Sequence, residues 1–185
     1  RCGMRMFVAL VPADDALDDL GAFLRPRQEA ERGFRWTVPD QWHVTLEFIG
    51  AVDTERRAAL LASADRIRLP VCELVFDRCE HWRKARVACL VASVTPEPLA
   101  RFVARLRAAV ATVGIEPEAR PYHPHVTIAR KVRTASDMPV TPALVWPATG
   151  FALVRSSSDP AGSRYEPLHW WNGVSRGGRE TRDSR

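Results

Sequence analysis

The sequence contains no apolar run that approaches the length of a membrane span. Its opening residues, Arg1-Cys2-Gly3-Met4, also lack the apolar stretch of a secretory signal, and Met4 and Met6 are both candidates for the natural start. We therefore expect a cytoplasmic protein that has no membrane partner. One domain is predicted over residues 4–174, whereas residues 175–185 carry no apolar side chain and are predicted to be disordered.

Cysteine is scarce, and no two of the four cysteines have the CxxC spacing of a metal or redox site. Such thiols stay reduced inside a cell, which excludes a disulfide-stapled fold. Cys89 lies within an apolar run and is predicted to be a core thiol. A glycine-rich phosphate loop is also missing from the sequence.

The net charge of +5, much of it from arginine, suits an anionic ligand such as a phosphate group or a short RNA. An arginine-rich, high-GC genome explains the same charge equally well. Charge alone therefore does not decide the function.

One four-residue pattern, His-aliphatic-Thr-aliphatic, occurs twice. The copies are His43-Val44-Thr45-Leu46 and His125-Val126-Thr127-Ile128, which start 82 positions apart. This composition gives roughly 0.3 His-x-Thr triplets by chance, so two copies indicate a paired site. Because strand side chains alternate in direction, each His and Thr should share one face while the aliphatic residues are buried on the other.

The segments around the two copies are predicted to follow a similar order of strand, helix and strand. In the first half we predict strands at 5–11, 43–49 and 71–77, with helices at 14–24 and from Asp53 or Thr54 to about 67. In the second half we predict strands at 87–94 and 125–131 around a helix that Thr95 caps and Gly114 ends. Further strands are predicted at 144–155 and 165–171, joined by a turn at 156–162. The predicted fold is α+β, a bilobal duplication of two antiparallel sheets with outer helices and a central groove between the two His strands.

Two imidazoles that face one groove can supply one general base and one general acid near neutral pH. The hydroxyls of Thr45 and Thr127 can donate hydrogen bonds to phosphate oxygens. No carboxylates accompany the motifs as metal ligands, so we expect no metal and no cofactor. This chemistry fits metal-free cleavage of a strained phosphodiester such as a 2′,3′-cyclic phosphate.

On these motifs the sequence resembles the 2H phosphoesterase superfamily, and within it the RNA 2′,3′-cyclic phosphodiesterases of bacteria and archaea, also called 2′-5′ RNA ligases. The resemblance spans about residues 5–171. Supporting matches are Met6-Phe7-Val8-Ala9-Leu10 with Pro12, Pro124-His125-Val126-Thr127-Ile128-Ala129-Arg130, Leu153-Val154-Arg155-Ser156, and the later Gly162, Tyr165 and Leu168. The resemblance implies a bilobal enzyme that hydrolyses a terminal 2′,3′-cyclic phosphate to a 2′-phosphate.

Carried over residue by residue, the resemblance implies that His125 is the general base on water and that His43 protonates the departing O3′. The two labels are interchangeable because the pair is nearly symmetric. Thr45, Thr127 and Arg130 would bind the phosphate, although Arg130 also fits a solvated charge at a strand end.

Several other residues have two interpretations. Phe7, Trp42 and Tyr122 are candidates for stacking a nucleobase, and packing is the alternative for each. His123 and His125 form a possible metal pair, but no third ligand is evident, so we predict a loop histidine. We assign no role to His81-Trp82 or His169-Trp170-Trp171, which look like sheet edges or lobe packing. The arginines of the later helix, Arg101, Arg105 and Arg107, are interpreted as solvated surface.

The sequence thus predicts a monomeric phosphodiesterase whose partners are RNA ends or small cyclic nucleotides. The alternatives are a ligase or another cyclic-nucleotide phosphodiesterase of the same superfamily, and a noncatalytic RNA-binding module.

Overall fold

The computed structural model describes residues 5–159 and 162–171 of the chain. Its strands are β1 Arg5–Leu10, β2 Arg35–Trp36, β3 Val44–Gly50, β4 Glu73–Trp82, β5 Val87–Val91, β6 His125–Arg130, β7 Met138–Pro147, β8 Phe151–Asp159 and β9 Gly162–Trp171. Its helices are α1 Asp14–Ala30, α2 Thr54–Ala64 and α3 Glu97–Thr112, and a short 3-10 helix spans Pro39–Gln41. The candidate start Met4 and the tail predicted to be disordered, 175–185, lie outside the described residues.

The strands form two sheets, and every strand pairing that the structure describes is antiparallel. The first sheet has the order β3-β1-β8-β9 and the second has the order β2-β6-β5-β4-β7. The predicted α+β class with two antiparallel sheets is confirmed. The sheets do not correspond to the two halves of the sequence, because the first sheet is completed by the last two strands, β8 and β9.

The helices pack across the two sheets. Helix α1 follows β1 of the first sheet but packs on β7 of the second, whereas α3 follows β5 of the second sheet and packs on β3 of the first. The predicted apolar face of α3 is buried, including Leu99, Phe102 and Leu106. One hydrophobic cluster therefore contains buried residues from both sheets and from the helices between them. Each such side chain contributes about 1.5–3 kcal/mol when it is buried, so this crossed packing holds the two sheets together.

Several element boundaries differ from the prediction. Helix α1 continues through Pro26 to Ala30, and its last turns are stabilised by Arg27, which lies over the Phe23 ring and donates to the Phe23 carbonyl. The strand predicted at 144–155 is two strands of different sheets, because Pro147 ends β7 before β8 begins. The turn predicted at 156–162 is mostly strand, since the backbone of Ser156 and its neighbours pairs with β9.

None of the helices within the described residues is long and apolar enough to span a membrane.

Candidate active site

The two His-x-Thr copies lie on β3 and β6, which contact each other where the two sheets meet. Val44 and Leu46 are buried on β3, as are Val126 and Ile128 on β6. Thr45, His125 and Thr127 are only half-buried, as is His43, which directly precedes β3. Thr45 and His125, one residue from each copy, line a common cavity of about 420 Å³. His43 lines a neighbouring cavity of about 430 Å³ together with Phe7 and Tyr165. The alternation predicted for each copy is confirmed, whereas a single groove that both histidines face stays a prediction.

The duplication extends to the backbone irregularity within each copy. Val8 and Ala9 of β1 pair with Glu47 and Thr45, which leaves Leu46 as an extra residue. Ala88 and Cys89 of β5 pair with Ala129 and Thr127, which leaves Ile128 in the equivalent place. Each copy therefore has a bulge at its fourth position. Such bulges bend a strand and re-aim its side chains, which suits a site built from both strands.

Thr37 binds the carbonyls at the second bulge. Its backbone N–H donates to the Ile128 carbonyl at 2.9 Å, and its hydroxyl lies 2.9 Å from the same oxygen and 3.0 Å from the Thr127 carbonyl. The indole N–H of Trp42 in turn donates to the Thr37 hydroxyl at 3.0 Å. The residue before His43 is thereby joined to the strand that carries His125.

Both histidines are oriented by the same kind of hydrogen bond. His43 Nδ1 lies 2.7 Å from the carbonyl of Gln41, and His125 Nδ1 lies 2.8 Å from the carbonyl of His123. A carbonyl oxygen can only accept, so each Nδ1 carries the hydrogen and donates it. Each neutral ring therefore keeps an unprotonated Nε2 that can take a proton.

Aromatic rings surround His43. The Phe7 and Tyr165 ring centroids lie 4.8 Å and 4.9 Å from the centroid of the His43 ring, and the Tyr165 and His43 rings are nearly perpendicular. Burial lowers the pKa of His43 to about 4, the Gln41 carbonyl opposes this shift, and the charges of His125 and Arg130 lower the pKa further. His43 is therefore neutral at pH 7 in the unbound protein.

The low pKa of His43 predicts an acid-labile fold. The unfolded chain takes up this proton near pH 6.5, whereas the folded protein resists it until about pH 4, so the folded state loses stability as the pH falls through that window. The full difference is about 3 kcal/mol. Urea unfolding at pH 7 and pH 4.5 should show that His43→Asn loses about 2 kcal/mol less than the wild type between these pH values. An equal loss in both proteins would contradict this account of His43.

Trp82 packs against His125. The ring centroids are 4.4 Å apart, and the indole N–H of Trp82 donates to Glu80 at 2.9 Å. Burial also lowers the pKa of His125, while its hydrogen bond to the His123 carbonyl raises it. The interpretation of Trp82 as an edge residue without a role missed this contact, because it depends on the pairing of β4 with β5.

Thr127 lies against a buried thiol. Cys89 Sγ is 3.8 Å from Thr127 Oγ1, and Cys89 is fully buried, as the apolar run predicts. Burial raises the pKa of Cys89 to about 12, so it remains an S–H group at neutral pH. The S–H group can donate to the Thr127 oxygen, which leaves the Thr127 hydroxyl hydrogen available to a ligand in the groove.

Arg130 is held across the groove by Tyr165. Arg130 Nη2, on β6 of the second sheet, donates to the Tyr165 hydroxyl on β9 of the first sheet at 3.0 Å. The same tyrosine ring packs against His43. Tyr165 therefore places a guanidinium group beside His43, a contact that the sequence pattern did not reveal.

Two substitutions of Tyr165 should separate its two contacts. Tyr165→Phe keeps the ring against His43 but releases Arg130, so we expect KM for a phosphodiester to rise about 10-fold with little change in the pH dependence of kcat/KM. Tyr165→Leu also exposes His43 to water, so the pKa of His43 should move up towards 6.5 in the pH profile of kcat/KM, which reports the unbound enzyme. Steady-state kinetics between pH 4.5 and 8 measure both effects, and identical pH profiles for the two variants would refute this division.

The aromatic residues predicted to stack a base occupy different positions. Phe7 packs against His43, and Trp42 is only 4% exposed. Tyr122 lines the cavity of Thr45 and His125, and its buried hydroxyl has no hydrogen-bond partner among the described residues. Burial raises the pKa of Tyr122 above its usual range. Base stacking by these three residues stays a prediction.

A buried ion pair supports the segment that leads to His125. Glu47 on β3 is 1% exposed, and its carboxylate accepts from Arg107 Nε at 2.8 Å and from the Glu118 backbone N–H at 2.6 Å. Arg107 also donates to the Arg120 carbonyl at 3.1 Å. The interpretation of Arg107 as solvated surface was therefore wrong, because α3 turns this side chain towards β3. Glu47 itself gave no signal in the sequence.

His123 lies close to the site, and its carbonyl orients His125. Within residues 5–159 and 162–171, no group of three or more His, Cys, Asp and Glu side chains could hold a metal ion.

Several known proteins are similar to this chain. A family model described as the 2′-5′ RNA ligase superfamily matches residues 14–160. The chain belongs to this superfamily, whose members are enzymes. It is 36% identical to the RNA 2′,3′-cyclic phosphodiesterase of Escherichia coli strain K12 over 139 residues, which cover 74% of this chain and 78% of the relative. It is 30% identical to the protein of the same name from Thermus thermophilus, over 96% of this chain and 94% of the relative.

Solved structures show the same relationship. The apo form of E. coli LigT matches with a TM-score of 0.81 and 29% identity, over 93% of this chain and 98% of that chain. E. coli LigT complexed with 3′-AMP matches with a TM-score of 0.80 and 29% identity, over 93% and 99% of the two chains.

Proposed function

We propose that this protein hydrolyses 2′,3′-cyclic phosphates at RNA ends or on small nucleotides and releases 2′-phosphomonoesters. The observation that carries the proposal is the pair of histidines, each of which donates from Nδ1 to a carbonyl two residues earlier and thereby keeps Nε2 as a proton acceptor. The names of its bacterial relatives support the same substrate class.

In this proposal His125 Nε2 takes a proton from water as the water oxygen attacks phosphorus. The bond from phosphorus to O3′ breaks, and His43, protonated on Nε2, gives its proton to O3′. Thr45, Thr127 and Arg130 bind the non-bridging oxygens and stabilise the negative charge that builds up on them. Water thus supplies the new hydroxyl on phosphorus. After one turnover His125 is protonated and His43 is neutral.

The acid step requires a protonated histidine, although the pKa of each histidine is lowered in the unbound protein. A bound phosphodiester places a negative charge between the rings and beside Arg130. That charge opposes the repulsion by which Arg130 and His125 lower the pKa of His43, and so it favours uptake of the catalytic proton. Substrate binding and protonation of the acid are thereby coupled.

Incubation with adenosine 2′,3′-cyclic phosphate and with an RNA that ends in a cyclic phosphate tests the proposal. Phosphorus NMR of the products should show the 2′-phosphate isomer without added metal and in the presence of chelator. A 3′-phosphate product would reverse the assignment of the leaving oxygen, and no turnover of either substrate would refute the proposal.

The same assay separates the alternatives. A ligase would join the cyclic end to a second RNA end supplied in the mixture, which gel electrophoresis detects. A noncatalytic RNA-binding module would bind the RNA in a salt-sensitive way without turning it over. We further propose that the enzyme acts as a cytoplasmic monomer, for which light scattering in solution should give a mass near 20.7 kDa.

A further inference from the structure

A small polar cavity lies next to the proposed phosphate site. It has a volume of about 190 Å³, and its lining includes Arg35, Gln41, Arg130, Gly162 and Ser163. None of the described residues that line it is an aspartate or a glutamate. The proposed reaction uses only Arg130 from this set.

Two arginines meet in this cavity because of the register of the second sheet. Arg35 on β2 pairs directly with Arg130 on β6, so both side chains leave the sheet on the same face. An anion bound in this cavity would therefore meet positive charge from two neighbouring strands.

A glycine in the cavity wall makes room for the Arg35 side chain. The Arg35 guanidinium lies so close to Gly162 that a Cβ atom at this position would collide with it. Gly162 also has a φ of +143°, which disfavours other residues. The start of β9 thus leaves room for an arginine side chain beside the cavity.

The cavity is also joined to His43. The Gln41 side chain donates to the Ser163 carbonyl at 2.6 Å, while the backbone carbonyl of Gln41 accepts from His43 Nδ1. One residue therefore lines this cavity and orients the proposed general acid. An anion bound here would lie within reach of the same substrate molecule.

We propose that this cavity binds the phosphate on the 5′ side of the terminal nucleotide. In RNA that phosphate is one nucleotide away from the cyclic phosphate, and in a mononucleotide it is the 5′-phosphate. The inference rests on the proposed function and narrows it, because the enzyme would then prefer RNA ends and 5′-phosphorylated cyclic nucleotides to nucleoside cyclic phosphates.

Two substrates that differ in a single group test the inference: adenosine 2′,3′-cyclic phosphate with and without a 5′-phosphate, at constant ionic strength. A charge-assisted contact to an arginine should raise kcat/KM for the 5′-phosphorylated substrate about 10-fold or more in the wild type. Arg35→Ala should bring the ratio of the two kcat/KM values close to one, and Arg35→Lys should restore part of it.

Two further variants complete the test, one as a charge control and one as a second perturbation of Arg35. Arg101→Ala also removes one positive charge, but from the exposed pair with Glu97 on α3, and it should keep the wild-type ratio. Gly162→Ala keeps the charge of Arg35 but displaces its guanidinium, so the ratio should fall. A thermal melt confirms that each variant is folded.

A wild-type ratio near one, or an Arg35→Ala variant that retains the ratio, would overturn the inference. If neither substrate is turned over, the proposed function fails, and calorimetric binding of the same two compounds then tests the cavity alone. In that case equal affinities for the two compounds would overturn the inference as well.

Discussion

Replacement of His125 by alanine should lower kcat for a 2′,3′-cyclic phosphate by at least about 100-fold, because general base help contributes about 10² to 10⁴ in rate. Because Nδ1 of His125 donates to the His123 carbonyl, Nε2 is the proton acceptor that the substitution removes. His125→Asn should be equally slow, although an asparagine amide can still donate to the carbonyl. Agreement between the two variants would assign the effect to Nε2 and not to the conformation of the strand.

His43→Ala should cause a loss of similar size, and the leaving group distinguishes acid from base. A p-nitrophenyl phosphodiester has a leaving oxygen that needs no proton, so a variant that lacks the general acid should recover most of its rate on that substrate. We expect this recovery for His43→Ala and not for His125→Ala. Recovery in the His125 variant instead would exchange the two roles.

Circular dichroism and thermal melts at pH 7.5 provide the control for both variants, since each should remain folded. A folded variant of either histidine with wild-type turnover would rule out the two-histidine mechanism.

Replacement of Glu47 by leucine should give the largest loss of stability among the changes considered. The Glu47 carboxylate is buried and accepts from both Arg107 and the backbone of Glu118. Removing one partner of a buried ion pair costs about 3–5 kcal/mol, because the other charge loses its counter-ion. The Arg107 side chain is 22% exposed to solvent, which partly screens its charge, so we expect a loss of stability near the lower limit of this range. Urea unfolding at pH 7 measures this change in the free energy of unfolding.

A double variant and a surface control sharpen this test. Glu47→Leu with Arg107→Met removes both charges and should be more stable than Glu47→Leu alone. Glu97→Gln breaks the exposed pair with Arg101 and should cost less than about 1 kcal/mol. If Glu47→Leu cost no more than Glu97→Gln, the buried pair would not stabilise the fold.

The Glu47 pair also links stability to the site. Arg107 and Glu47 hold the backbone of Glu118 and Arg120, a few residues before the His123 carbonyl that orients His125. We therefore expect the kcat of folded Glu47→Leu to fall as well, since His125 would lose part of its support.

Local sequence patterns were sufficient for the two motif strands. A period of two side chains places His125 and Thr127 on one face and buries Val126 and Ile128. The apolar spacing of α3 predicted its buried face in the same way. These features depend on residues close together in the chain, so the pattern alone carries them.

Features that join distant segments could not be read in this way. Trp82 reaches His125 only because β4 pairs with β5, and Tyr165 reaches Arg130 only because the last strand completes the first sheet. The burial of Glu47 likewise requires α3 to pack on β3. Nothing in the spacing of these residues along the chain indicates such contacts.

The sequence by itself thus determined which residues form the candidate site, two histidines and two threonines whose neighbours on each strand are buried, because strand geometry fixes side-chain direction locally. Only the tertiary structure decided which groups surround them. The Arg35–Arg130 pair, the aromatic rings around His43 and the buried Glu47 all depend on how separate strands and helices meet. Sheet register and crossed helix packing are set by the burial of the whole core, which no short segment specifies.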